Sequence, residues 1–144
     1  MNTPKYGLSR SERLRGRKLT DRLFAEGNSG FVFPLRYFYL TEPFDGHETS
    51  IISMMVSVPK RHFKRAVKRN LLKRRVREAF RLNKHILQER LPDGTRIMVA
   101  FIYGHNEVAE FPKIQSSIRR ILSDIDKKNR IQQPNIPNPS HDKP

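Results

Sequence analysis

The strongest constraint on the fold of this chain is one stretch, residues 60–81, KRHFKRAVKRNLLKRRVREAFR. It holds eleven Lys or Arg and a single acid, Glu78, for a local charge of +10. At 100° per residue, Leu72, Val76, Ala79, Phe80, Asn83, Ile86 and Leu87 fall on one face, apolar except for Asn83. Asn70, Lys73, Arg74, Arg77 and Arg81 fall on the opposite side. No Gly or Pro interrupts residues 61–91, and Pro92-Asp93-Gly94 ends the run. The spacing predicts one helix with its apolar side on a core and its cations in solvent. A solvated charged face usually mixes both signs. This one lacks balancing carboxylates, so its self-repulsion asks for a polyanion.

The whole chain carries 29 basic and 14 acidic residues in 144, a net +15, so two-thirds of the excess sits in that helix. With 36% hydrophobic residues, one modest core and one domain are expected. No run of about 18 apolar residues is present, so no membrane span is expected. The basic N-terminus is not followed by an apolar segment, which argues against a signal peptide. Without cysteine, disulfides and thiolate metal sites are excluded. A cytoplasmic protein fits. A membrane surface would need the helix's apolar side, which the core claims, so nucleic acid is the better polyanion.

Residues 1–17, with five Arg or Lys against Glu12, read as a flexible basic arm. Residues 18–26 (KLTDRLFAE) form a short amphipathic helix, stopped by Gly27. Pro34 divides the next aromatic run into a short strand and a longer one from about Arg36. In the longer strand Tyr37, Tyr39 and Thr41 point one way, Phe38 and Leu40 the other. Residues 42–49 read as a hairpin loop. Residues 50–58 alternate: Ile52, Met54, Val56 and Val58 suit a core, while Ile51, Ser53, Met55 and Ser57 suit a surface against which something lies. Residues 96–103 (RIMVAFIY) are apolar on both faces, as an inner strand is. Residues 110–129 make a last helix, striped by Ile114, Ile118, Ile121, Leu122 and Ile125. Residues 130–144, with four prolines, predict a disordered tail. The structured part is then residues 18–129, in the order α-β-β-β-α-β-α, a single small α+β domain.

Parts for chemistry are missing. His47, His62, His85, His105 and His141 show no metal-ligand spacing and no paired nucleophile. Asp124 and Asp126 diverge on a helix, and Glu107 and Glu110 flank a loop. No Gly-rich phosphate loop occurs. No catalytic or metal-binding residue is assigned.

AVKRNLLKRRVREAFR (residues 66–81), preceded by a strand ending SVPKR, resembles the signature of the bacterial ribonuclease P protein subunit. KLTDRLFAEG upstream and the strand and helix downstream match too, so the resemblance spans roughly residues 8–129. It implies a mixed four-stranded sheet with a left-handed β-α-β crossover, of the ribosomal protein S5 domain 2-like kind. It also implies an accessory subunit of a ribonucleoprotein endoribonuclease. There the RNA subunit catalyses removal of the 5′ leader from precursor tRNA, and the protein alone is inactive. The implied partners are the catalytic RNA, one protein per RNA, and precursor tRNA, with Mg²⁺ bound by the complex rather than by a dedicated protein site. Carried onto this chain, Lys60, Arg61, Arg65, Arg69, Asn70, Lys73, Arg74, Arg77 and Arg81 would bind the catalytic RNA. Phe24, Tyr37, Tyr39, Met55 and Ser57 would form the leader cleft. Two positions depart from the pattern. Leu71 stands where a third cation of Arg-Asn-Arg is usual, leaving Arg75 to replace it, and Thr20 stands near a common large apolar cleft position.

The residues read alone agree in kind. Arg forks suit phosphate oxygens, and single-stranded RNA suits a basic groove lined by aromatics. Phe24 reads equally as core or cleft, whereas the polar tips of Tyr37 and Tyr39 predict an exposed face. A generic RNA-binding module without a cleft, and a stand-alone nuclease, are the alternatives.

Overall fold

The computed structural model of the chain describes residues 16–43 and 50–131. The basic arm through residue 15, the loop 44–49 and the tail from residue 132 lie outside them. Eight elements follow in order: α1 (Arg17–Glu26), β1 (Asn28–Val32), β2 (Leu35–Pro43), β3 (Ile51–Ser57), α2 (Ala66–Asn83), α3 (His85–Gln88), β4 (Thr95–Tyr103) and α4 (Phe111–Ile131). The α+β class and the order read from the sequence hold, with the long helix broken in two.

Gly27 ends α1 for want of space. Its N–H closes on the Leu23 carbonyl at 2.9 Å, and a Cβ there would lie 2.5 Å from that oxygen and 2.7 Å from the Tyr39 carbonyl. The chain can then turn straight into β1 only with glycine at this point. β1 and β2 form a hairpin in which Val32 faces Leu35.

The sheet runs β1-β2-β4-β3. β4 lies between β2 and β3, antiparallel to the first and parallel to the second. Residues 42–49 are therefore not the loop of a hairpin: β2 extends to Pro43, and its partner is β4. β4 earns the central place because both of its faces are apolar, and residues 97–101 and Tyr103 are fully buried.

Two layers cover the sheet. On one face Leu35, Tyr37, Tyr39, Ile52, Met54, Val56, Ile97, Val99, Phe101 and Tyr103 pack with Leu72, Val76, Ala79 and Phe80 of α2 and the isoleucine stripe of α4. On the other, Leu23 of α1 packs on Met98 and Ala100, rimmed by Leu19, Phe38, Leu40 and Met55.

The hand of the β3-α2-β4 crossover follows from one hydrogen bond. Gly104 N–H donates to the Pro34 carbonyl at 2.8 Å, so even-numbered residues of β2 turn their backbone polar groups toward β4. Leu35 turns its own toward β1. For an L-residue seen from its side-chain side on an ascending strand, those groups lie to the right. Seen from the α2 side with β2 ascending, β4 and β3 therefore lie to the left and descend. Turned end for end, the chain rises on β3, descends through α2 in front, and rises again on β4 to the left. The crossover is left-handed, against the roughly 98% preference for the right hand.

The helix predicted over residues 61–91 begins later and breaks once. Phe63 is buried in the core beside Tyr103, with ring centroids 5.8 Å apart. Anchoring that ring holds residues 60–65 in a turn and extended backbone, with His62 N–H on the Pro59 carbonyl. At the far end Lys84 interrupts the helix before the single turn of α3. Asn83, the polar residue on the apolar stripe, is buried. Its side-chain N–H donates to the Ala79 carbonyl at 2.7 Å, and its oxygen accepts from Arg119 of α4 at 2.9 Å.

Candidate nucleic-acid interface

The outward side of α2 is basic because its inward side is spent. With Leu72, Val76, Ala79 and Phe80 fully buried, Asn70, Arg74 and Arg77 stand exposed at i, i+4 and i+7, with Lys73 half-buried beside them. Lys60, Arg61 and Arg65 are exposed on the approach. Lys64 and Lys68 are exposed on the same approach and first turn. They were missed by sequence reasoning that followed a motif and a single helical face.

Arg69, Arg81 and Arg75 have work within the chain. Arg69 donates to the carbonyls of Phe63 and Lys64, at 2.8 Å each. It thereby caps the backbone that enters the helix, where Arg65 at the N-cap makes no side-chain cap bond. Arg81 forks onto both oxygens of Glu78, at 3.0 and 2.7 Å. That hydrogen bond holds the Glu78 carboxyl below its ordinary pKa against the opposing effect of burial. Arg75 donates to the Ala109 carbonyl at 2.7 Å. It is thus tied to the loop before α4.

The second surface lies on the α1 face of the sheet. Strand register sets its side chains in rows. Phe31, Arg36, Ile102 and Ser57 stand abreast, then Ser29, Phe38, Ala100 and Met55, and last Glu42, Arg96 and Ile51. α1 packs over β2 and β4, leaving the half-buried Met55 and Ser57 of β3 as the floor of a groove at its side. Phe24 of α1 is 37% exposed, with its ring edge-on to Phe38 at 4.9 Å. Phe24, Met55 and Ser57 are thus brought to one face.

Tyr37 and Tyr39 are not. They are 2% and 1% exposed and lie on the opposite face, between the sheet and α4. The expectation that their polar tips keep them exposed is overturned, because the apolar area of each ring, packed in the main core, outweighs the one hydroxyl it carries. Tyr37 hydroxyl meets Lys128 Nζ at 3.3 Å, while the Tyr39 hydroxyl is buried without a hydrogen-bond partner among the described residues. Their place in the groove is taken by Phe38, with Arg36 and Ile102 in the next row. Alternation had put Phe38 and Leu40 on the face away from the tyrosines, and only the choice of buried face was wrong.

At the other end of this surface Glu42 accepts hydrogen bonds from Arg22 of α1 and, at 2.9 Å, from Arg96 of β4. Burial alone would raise its pKa; the bond and charge of Arg22, then of Arg96, outweigh that and lower it. Thr20 turns its hydroxyl back onto the Gly16 carbonyl at 2.9 Å, inside its own helix. The groove and the basic side of α2 lie on different faces of the sheet. They meet at one end, where β3 runs from Ser57 into Lys60 and Arg61. Among the described residues there is no group of three or more His, Cys, Asp or Glu that could hold a metal ion.

The family model for Ribonuclease P matches residues 8–126. The chain is 41% identical over 120 residues to the ribonuclease P protein component of Porphyromonas gingivalis, covering 83% of this chain and 86% of that one. It is 30% identical over 136 residues to that of Chlorobaculum tepidum, covering 88% and 86%. The RNase P protein from Thermotoga maritima superposes with a TM-score of 0.58 at 28% identity, over 79% of this chain and 97% of that one.

Proposed function

The chain belongs to the ribonuclease P protein family, and from that premise we propose that it is the protein subunit of ribonuclease P, bound one per catalytic RNA, assisting 5′-leader removal from precursor tRNA. The observation that carries the RNA-binding part is the exposed row Asn70, Arg74 and Arg77, continued by Lys60, Arg61 and Arg65, on a helix whose other side is sealed in the core. These groups bind phosphates of the catalytic RNA; guanidinium forks suit them bidentately. Arg69 acts one step behind, by fixing the helix entry, and Arg81 reaches RNA only in exchange for Glu78.

The leader lies along the groove of Phe24, Phe38, Met55 and Ser57, where bases stack on exposed aromatic edges. Tyr37 and Tyr39 support that surface from beneath. Bond cleavage belongs to the RNA subunit, and Mg²⁺ to the ribonucleoprotein. No helix among the described residues is long and apolar enough to cross a membrane. A subunit acting on precursor tRNA works in the cytoplasm, where bacterial transcripts are made and trimmed.

The test is cleavage of precursor tRNA by the protein alone, by a bacterial ribonuclease P RNA alone at low Mg²⁺, and by the two together. Specific 5′ cleavage is expected to rise only when both are present. Cleavage by nuclease-free protein alone, or no gain on adding protein to the RNA, would sink the assignment.

A further inference from the structure

Resting on the RNA-binding reading, we propose that the hairpin end of the sheet is a second contact for single-stranded RNA, in which Phe31 and Phe33 stack an unpaired nucleotide and Arg36 and Lys113 hold its phosphates. Phe31 is 54% exposed and Phe33 46%, more than any other Phe or Tyr among the described residues. Folding gains little from rings left in water. Their exposure is organised all the same. The two rings meet edge-on at 6.5 Å, Phe33 meets the His105 ring at 4.8 Å, and Lys113 Nζ lies 5.6 Å from the Phe33 centroid.

The backbone beneath them is fastened. Ser117 Oγ donates to the Phe33 carbonyl at 2.6 Å, and Gly104 N–H to that of Pro34 at 2.8 Å. The rings are therefore presented on a rigid turn, at small ordering cost to a ligand.

Register connects the patch to the groove. Phe31, Arg36, Ile102 and Ser57 form one row across all four strands on the α1 face, a span of about 14 Å at the usual strand spacing. From Phe31 the surface turns the corner through Phe33 to Lys113 on α4. Arg36 and Lys113 are exposed. Two exposed acids stand near the patch: Glu107, 3.8 Å from His105 Nε2, and Glu110, whose carbonyl accepts from Lys113 N–H at 3.1 Å. Cations here call for a polyanion, and bare rings call for bases. A duplex offers phosphates but hides its bases, so a single strand fits both features.

The chain contains no tryptophan, so Phe33→Trp gives a sole indole at the patch. Full-length protein carrying it would be titrated with a ten-nucleotide oligoadenylate, with a blunt RNA duplex, and with a bacterial ribonuclease P RNA. Saturable quenching by oligoadenylate and little by the duplex is expected. Phe31→Ala with Phe33→Ala should weaken oligoadenylate binding by about five- to a hundredfold with the salt slope unchanged, since no charge is lost. Lys113→Gln should lower that slope by about one. Unchanged melting of the double variant is expected for exposed rings and shows that it folds.

An unquenched indole while RNA still binds by gel shift would overturn the patch alone, as would an unaffected double variant. Stronger quenching by the duplex would do the same. Emission that changes with protein concentration in the absence of RNA would make the patch a contact between copies. Loss of all RNA binding in the unaltered protein would overturn the reading of α2 as well.

Discussion

At the scale of single residues, Tyr39 and Phe38 show how one position in a strand divides core from site. The Tyr39 hydroxyl is buried without a partner among the described residues, and burial raises its pKa, so the phenol stays neutral well into alkaline solution. A buried polar group left unsatisfied costs about 1–3 kcal/mol. Tyr39→Phe is therefore expected to leave stability unchanged or raise it by about 1 kcal/mol in urea unfolding. Tyr39→Ala should lose about 3–5 kcal/mol by opening a cavity. If the Phe variant were as unstable as the Ala variant, the hydroxyl would have a partner and the core assignment would need revision. For the neighbouring position, Phe24→Ala with Phe38→Ala should weaken binding of long-leader precursor tRNA to the assembled ribonucleoprotein. The loss should be about 1–3 kcal/mol per base no longer stacked. Precursors with one or two leader nucleotides should be little affected. Equal loss on both substrates would remove the groove from leader binding.

At the scale of the element, α2 divides its arginines between structure and surface. Arg74→Ala with Arg77→Ala should change stability by less than about 1 kcal/mol, as exposed charges usually do. The salt dependence of binding to the catalytic RNA should fall by roughly one per lost phosphate contact. Arg69→Ala is expected to behave differently, because two carbonyls at the helix entry lose their donor. Stability should drop by about 1–3 kcal/mol, and the melting curve separates the two classes. A destabilised double variant and an unaffected Arg69→Ala would reverse these roles. The break at Lys84 and the late start at Ala66 were not legible in helical periodicity. The apolar stripe runs past Lys84 without a gap, and what delays the start is the anchoring of Phe63 in the core.

At the scale of the whole molecule, Glu42 ties α1, β2 and β4 through Arg22 and Arg96. Its pKa is lowered in the folded state, so its stabilisation is present above the unfolded value of about 4.3. That contribution is lost as the pH falls through the lower folded value. Glu42→Gln should therefore be less stable than the parent at neutral pH, with the difference shrinking in acid. A gap independent of pH would mean that the carboxylate charge contributes nothing. The surface as a whole makes a second demand. With about six to ten phosphate contacts, affinity for the catalytic RNA should fall by about 10³–10⁵ between 50 and 200 mM salt. Near-constant affinity in a filter-binding series would remove the electrostatic reading of a chain with net charge +15.

The elements, their order and the basic face of α2 were legible in the sequence because local periodicity carries them. Leu72, Val76, Ala79 and Phe80 can share a side only in a helix, and the one-sided cations then follow. Alternation likewise told that Tyr37 and Tyr39 oppose Phe38 and Leu40. It could not tell which pair is buried, since both faces of β2 are aromatic or apolar. That choice came from β4 entering between β2 and β3, and from α4 covering one face more fully than the ten-residue α1 covers the other. Strand neighbours are set by contacts far apart in sequence, where periodicity carries no information, so the aromatic side of the groove waited on the tertiary structure.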